Sequence, residues 1–221
     1  MNERLAGPAM RDLWDGVFQA NPDRFGSEPS DSAKLAAQAF ASLYPAHPDV
    51  LDLGSGTGRD TLFFAERGMH VVALDFSAVA LEELRGKARS SGISQPIRTV
   101  QHDVREPLPF PDSTFHACYA HMLFCMDFTP AELAALSADV RRVLKPGGIL
   151  VYTARTTDDP DFGSGVHRGE QLYEDEGFVV HFFDRRMVER LAVGFRVLDL
   201  TEFEEGTLPR RLFTVTLERT A

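Results

Sequence analysis

Two cysteines in 221 residues, Cys118 and Cys125, are too few to staple a fold of this size. Reduced thiols of a cytoplasmic protein are expected instead of a disulfide framework. Basic residues are in the minority, with 23 Lys and Arg against 33 Asp and Glu and a net charge of −10. That balance argues against sequence-independent nucleic-acid binding, which needs a basic face to displace counterions. No apolar run approaches the roughly 20 residues that span a bilayer. The opening stretch, MNERLAGPAMRDLWDGVF, lacks the continuous apolar core of a signal peptide. The seven histidines show no metal-ligand spacing, so no metal is expected. What these absences leave is one acidic domain whose 43% hydrophobic residues suffice for a core.

Strand-like runs recur along the chain: Asp49–Leu53, His70–Phe76, Ile97–Val104, Phe115–His121, Gly148–Ala154, Phe195–Phe203 and Arg211–Arg219. The first five are apolar on nearly both faces, as buried parallel strands are. Helical patterns separate them at Asp60–Gly68, Ser77–Gly92, Thr129–Gly148 and Asp184–Gly194. Thr129, Pro130 and Glu132 form a capping box with proline in the first turn, and Pro-Gly-Gly reads as the stop. Strands alternating with helices predict an α/β fold, a Rossmann-like doubly wound sheet with right-handed crossovers. The last two strands are joined by EEGTLPR alone, so they are expected to pair as a hairpin and introduce one antiparallel strand near the sheet edge. Two segments stand outside this rhythm. Residues 1–45 carry Leu13, Trp14, Val17 and Phe18 at helical spacing and read as a helical cap. Residues 155–183 are longer than unstructured connections usually are and read as a substrate lid.

The stretch VLDLGSGTGRD places Gly54, Gly56 and Gly58 at alternate positions directly after the first strand. A turn so poor in side chains brings backbone and a helix N-terminus against a ligand, at the carboxyl edge where such sheets bind them. The loop reads G-x-G-x-G, preceded by Asp52, and position 59, where a dinucleotide fingerprint has its third glycine, is Arg. Asp75 ends the second strand, placed to accept hydrogen bonds from vicinal ribose hydroxyls. A ribose carboxylate serves an adenosyl ligand and a dinucleotide alike. There is no G-x-x-x-x-G-K-[ST] loop, and no tyrosine is followed four residues later by lysine, the acid–base pair of short-chain dehydrogenases.

Taken together, D-x-G-S-G-T-G, Asp75, HDV after the third strand and RRVLKPGG before the fifth resemble the class I S-adenosylmethionine-dependent methyltransferases over residues 50–150. The resemblance implies a seven-stranded sheet in the order 3-2-1-4-5-7-6 and S-adenosylmethionine as cofactor. It implies that the Gly54–Gly58 loop, with Asp52 and Ser55, lies beside the methionyl part. Asp75 then holds the ribose, Phe76 packs on adenine, and Asp103 accepts from the adenine amino group with the Val104 backbone alongside. Ala120 and His121 approach the methionine end.

The donor carbon on a sulfonium is already activated, so this chemistry needs positioning and exclusion of water more than a fixed motif. The Asn/Asp-Pro-Pro-Tyr/Phe stretch shared by enzymes that methylate exocyclic amino groups is replaced here by AHMLF, which again disfavours a nucleic-acid substrate. A small-molecule methyl acceptor is expected, with the protein a monomer or homodimer. His121, His167 and Tyr173 are the candidate catalytic side chains. The lid, with Gly163, Gly165 and Gly169 as hinges and His181, Phe182 and Phe183 near its end, is expected to enclose the acceptor together with Trp14, Phe18 and Phe25. The stretch WDGVFQANPDRFGSEPS is similar, more loosely, to small bacterial methyltransferases of the tellurite-resistance and thiol-methylating type. A thiolate or inorganic anion, steered by Arg24, Arg155 or Arg168, therefore stands as an alternative acceptor. A non-catalytic cofactor-binding sensor and a nicotinamide oxidoreductase are the rivals from other classes.

Overall fold

The structure, a computed structural model, describes residues 7–44, 46–206 and 210–221. The N-terminal segment forms α1 (Gly7–Ala20) and α2 (Asp31–Leu43). There follow β1 (Asp49–Leu53), α3 (Arg59–Glu66), β2 (His70–Asp75), α4 (Ala78–Ser90), β3 (Ile97–Gln101) and β4 (Phe115–Ala120). Next come α5 (Pro130–Val143) and β5 (Leu144–Arg155). Three short strands, β6 (Val166–Gly169), β7 (Leu172–Asp175) and β8 (Phe178–His181), precede α6 (Arg185–Leu191), β9 (Phe195–Glu205) and β10 (Arg210–Arg219).

Four of the helices begin where the sequence supplies an oxygen for the free amides of the first turn, α2 among them through Ser30 Oγ, which accepts from Ala33 N at 3.1 Å. Ser77 Oγ accepts from Ala80 N at 3.0 Å, Asp184 Oδ1 from Met187 N at 2.8 Å, and Thr129 forms a reciprocal box with Glu132. Helix α5 stops at Val143, earlier than its Pro-Gly-Gly signal, and Leu144 to Gly148 already belong to β5. Pro146 drives Lys145 out of helical geometry, and Gly147 adopts a positive φ of 75°.

The main sheet has seven strands in the order β3-β2-β1-β4-β5-β10-β9. The first five run parallel, and β10 runs antiparallel between β5 and β9. The order implied by the resemblance is thus the one formed, with β10 and β9 as its seventh and sixth members. Alternation along the strands splits the core. Leu51, Leu53, Cys118, Leu150 and Tyr152 share one cluster with residues of α5 and α6. Val50, Tyr119, Ile149 and Val151 share another with α2 and α3. Both cysteines are free and buried.

The segment expected to be a lid is not an unstructured connection. It contains a three-stranded antiparallel sheet, β6-β7-β8. Gly165 is a close-approach residue there: a Cβ on it would meet the Glu174 carbonyl oxygen at 2.2 Å. No helix among the described residues is long and apolar enough to cross a membrane.

Candidate functional site

A cavity of about 870 Å³ opens at the carboxyl edge of β1, β2 and β4. Its floor is the glycine loop. Gly54, Gly56 and Gly58 all hold positive φ, at 67°, 53° and 84°, a region that side chains disfavour. The loop is tied to β2: Gly54 N and Ser55 N donate to the Leu74 carbonyl at 2.8 and 3.2 Å, and Gly56 N donates to Asp75 Oδ2 at 2.8 Å. Its first amides are therefore engaged within the protein. What the three glycines of the loop present to a ligand is a surface without side chains.

Asp75 takes a second amide, from Ser77, on its other oxygen at 2.8 Å. Burial raises its carboxyl to about 6 against the pull of these two hydrogen bonds, and the charge of Asp15 adds to the rise. Asp52 lies deeper. Burial pushes it to about 8, even though Thr61 Oγ1 donates to it at 2.5 Å, and the charges of Asp60 and Asp75 add to the rise. At neutral pH the Asp52 carboxyl is therefore held mainly protonated.

A pH-dependent stability follows. The folded pKa of Asp52 lies above its unfolded value, so its contribution is present at low pH and is lost as pH rises from about 4 to about 8. Asp52→Asn removes that loss. The variant is expected to match the native chain at or below about pH 4 and to exceed its stability by at least about 1 kcal/mol at pH 8 in urea unfolding. An identical difference at both pH values would refute the assignment.

The opposite side of the cavity carries a polar network. His121, just past β4, has Nδ1 at 3.1 Å from both Ser32 Oγ and Thr153 Oγ1, and Nε2 at 3.2 Å from Glu205 Oε2. Ser32 Oγ continues to Tyr119 Oη at 2.7 Å, and Tyr119 Oη lies 3.2 Å from Asp60 Oδ2. Ser30 closes the network, bonding both Asp60 oxygens at 2.8 and 2.9 Å. At Glu205 burial favours the neutral acid, but the hydrogen bond and charge of His121 and the charge of Arg59 outweigh it and hold the carboxyl below its usual range. Trp14, Phe18, Phe25 and Phe178 form an aromatic wall, with Trp14 at 5.7, 6.1 and 5.6 Å from the other three ring centroids in that order.

Of the residues picked out by sequence, Asp52, Gly54, Ser55, Gly56, Gly58, Asp75, Phe76, Asp103, Val104 and His121 all line this cavity. Ala120 does not; it is wholly buried in the core. Asp103 Oδ1 accepts from Arg105 N at 3.0 Å, leaving a half-buried carboxylate at the wall. His167 and Tyr173 are not brought to the cavity. Antiparallel pairing sets them opposite one another on β6 and β7, and His167 Nε2 engages the Glu170 carbonyl at 2.9 Å. Phe182 and Phe183 are buried in the protein, and His181 Nδ1 donates to the Phe128 carbonyl at 2.8 Å. Arg155 and Arg168 are paired with Asp159 and Glu174, so of the three arginines offered for an anion only Arg24 lines the cavity. Glu205, Asp60 and Ser30 escaped the sequence reading. Asp60 reads as an ordinary acid in a helix first turn, and Glu205 as one of several acids at a hairpin tip.

A sheet of this order with a glycine loop and a carboxylate one strand over defines the class I S-adenosylmethionine-dependent methyltransferase architecture. Comparison with known proteins agrees. Residues 50–148 match a family described as methyltransferase domain. A sterol 24-C-methyltransferase of Gibberella zeae is 33% identical over 170 residues, covering 72% of this chain and 43% of that protein. A dimethylglycine N-methyltransferase of Parasynechococcus marenigrum is 31% identical over 163 residues, covering 72% and 53%. The chain spans about half the length of such relatives. Among solved structures, 1,6-didemethyltoxoflavin-N1-methyltransferase of Burkholderia thailandensis, with S-adenosylhomocysteine bound, superposes with a TM-score of 0.75 at 19% identity. That match covers 100% of this chain and 94% of that one. The [4+2]-cyclase SpnF superposes equally well, at 0.75 and 18% identity, over 96% of each chain. The chain belongs to the class I S-adenosylmethionine-dependent methyltransferase family.

The cavity fits that family's cofactor. A Cβ at Gly54 would lie 3.1 Å from Leu123 and one at Gly58 2.2 Å from Leu84, so the cradle depends on bare backbone at these two positions. Ser55 Oγ, buried beside the cavity, finds no hydrogen-bond partner among the described residues and offers a donor to a ligand.

Proposed function

We propose that the protein transfers a methyl group from S-adenosylmethionine to a small organic acceptor. One observation carries the reading: the glycine-floored, Asp75-walled half of the cavity is continuous with a second half lined by aromatic rings and the His121–Glu205 pair. A volume of about 870 Å³ has room for two ligands side by side. When bound, the cofactor supplies a methyl carbon activated by an adjacent sulfonium. The chain's own part is to bind, orient and keep water out. Asp75 would accept the ribose hydroxyls, Phe76 would cover the adenine, and Asp103 with the Val104 backbone would meet its polar edge. Gly54, Ser55, Gly56 and Gly58 would pass beneath the methionyl part, near Asp52. His121, anchored through both ring nitrogens, is the base available for an acceptor that must lose a proton.

Kinship does not name the acceptor, because relatives are called C-, O- and N-methyltransferases and the same fold serves a cyclase. Titration calorimetry with S-adenosylmethionine and S-adenosylhomocysteine tests the cofactor half. Product detection across amines, phenols, carboxylates and thiols tests the transfer. Failure of both nucleosides to bind overturns the reading, and binding without turnover on any acceptor leaves a cofactor-binding domain.

A further inference from the structure

The acceptor half of the cavity has a sign. Eight carboxyl residues and four arginines line the whole cavity. One of the eight, Asp52, is held largely neutral by burial at pH 7, and the rest still outnumber the cations. Topology distributes these charges unevenly. Asp75 and Asp103 lie on the β2 and β3 side of the glycine loop, whereas Glu205 arrives from the last strand of the sheet, at the other side of β1. Glu205 sits at the end of β9 with its side chain 25% exposed, and His121 orients one carboxylate oxygen. The charged groups felt by Glu205 besides His121 are Arg59 and Asp31. Arg59 is committed elsewhere, donating to the Phe25 carbonyl and lying 3.8 Å from Asp60. Arg24 and Arg210 also line the cavity, but both are exposed, where water and salt screen them.

Aromatic faces add a second preference of the same sign. Trp14 and Phe25, from the N-terminal segment, and Phe178, from β8, line the same cavity, with Trp14 within about 6 Å of each of the other two. A ring face attracts a cation and repels an anion, by about 0.5–2 kcal/mol for each well-placed ring.

We propose that the acceptor is a cationic amine, recognised by the Glu205 carboxylate and the faces of Trp14, Phe25 and Phe178. This rests on the methyltransferase reading and narrows it, against a thiolate or inorganic anion. An ammonium has no lone pair, so one N–H bond must break before transfer, its electron pair staying on nitrogen. The proton passes to the Glu205–His121 pair. The nitrogen pair then forms the bond to the methyl carbon, and the electrons of the broken carbon–sulfur bond remain on sulfur.

Two isosteric probes of opposite charge, benzylammonium and benzoate, test the assignment by calorimetry on the full chain saturated with S-adenosylhomocysteine. Benzylammonium is expected to bind at least about tenfold tighter. In Glu205→Gln the ratio should fall to within about threefold while S-adenosylhomocysteine affinity is retained, which also shows that the variant folds. Equal binding, preference for benzoate, no binding of the amine, or a ratio unmoved by the substitution would each overturn the proposal. Amine binding in a protein that takes no S-adenosylhomocysteine would keep the Glu205 assignment and fell the cofactor reading instead.

Discussion

Gly58→Val is expected to lower stability by about 2–5 kcal/mol and to remove measurable S-adenosylhomocysteine binding. Gly58 precedes α3 with φ at 84°, a conformation in which a β-branched residue is strained by about 1–3 kcal/mol. A Cβ there would lie 2.2 Å from Leu84 Cδ1 and 2.9 Å from Cγ. Leu84 has no exposed surface and packs with Ala73 and Leu81, so it cannot swing into solvent to make room. The strain must push the turn away from α4 and deform the floor of the cavity. Against a typical stability of about 5–15 kcal/mol, that loss is large. Gly86→Ala supplies the contrast. Gly86 lies inside α4, and a Cβ added to it would meet nothing within 4 Å, so alanine should stabilise by about 0.5–1 kcal/mol. Urea midpoints together with calorimetry check both. A Gly58→Val protein of native stability and native affinity would show that the bare loop does not shape the cofactor site.

Asp75→Ala is expected to weaken S-adenosylhomocysteine binding by at least about a hundredfold, through two losses at once. One is the carboxylate that would accept the ribose hydroxyls. The other is the clasp itself, since Gly56 N and Ser77 N both donate to Asp75 and would be left without it. The pH dependence separates this account from a merely structural one. The carboxyl titrates at about 6 because burial opposes its charge, and hydroxyl donors favour the ionised form. Affinity in the native chain should therefore rise with pH and level off above 6, falling by about tenfold per unit below it. In Asp75→Asn that slope should vanish. A native affinity flat from pH 5 to pH 7 would contradict the ribose role.

The clasp also marks where sequence reasoning fell short. Three alternate glycines and an acid at the next strand end point to a ligand with a ribose, and the resemblance of the whole motif set to a known family makes that ligand S-adenosylmethionine. Which way the amides face does not follow from spacing. The structure turns those of Gly54, Ser55 and Gly56 toward β2. A similar limit applies to the residues between β5 and α6. Their length, glycines and aromatics suggested a hinged cover carrying His167 and Tyr173. Antiparallel pairing instead folds them into a small sheet, from which Phe178 and Val179 reach the cavity.

Apart from the strand order, which only the resemblance to a known family implied, the linear chain by itself determined the seven strands of the main sheet, the helices between them and the glycine loop that lines the cavity. Those features depend on local signals: caps, apolar periodicity, glycine conformations and a short motif between consecutive strands. Only the tertiary structure decided the acceptor half. Ser32, Tyr119, His121 and Glu205 are separated by up to 173 positions, and no local rule links a hairpin tip to the end of β4. Sheet order brings them together, because the strand at the far edge carries its terminal acid back to the carboxyl rim where the ligand site lies.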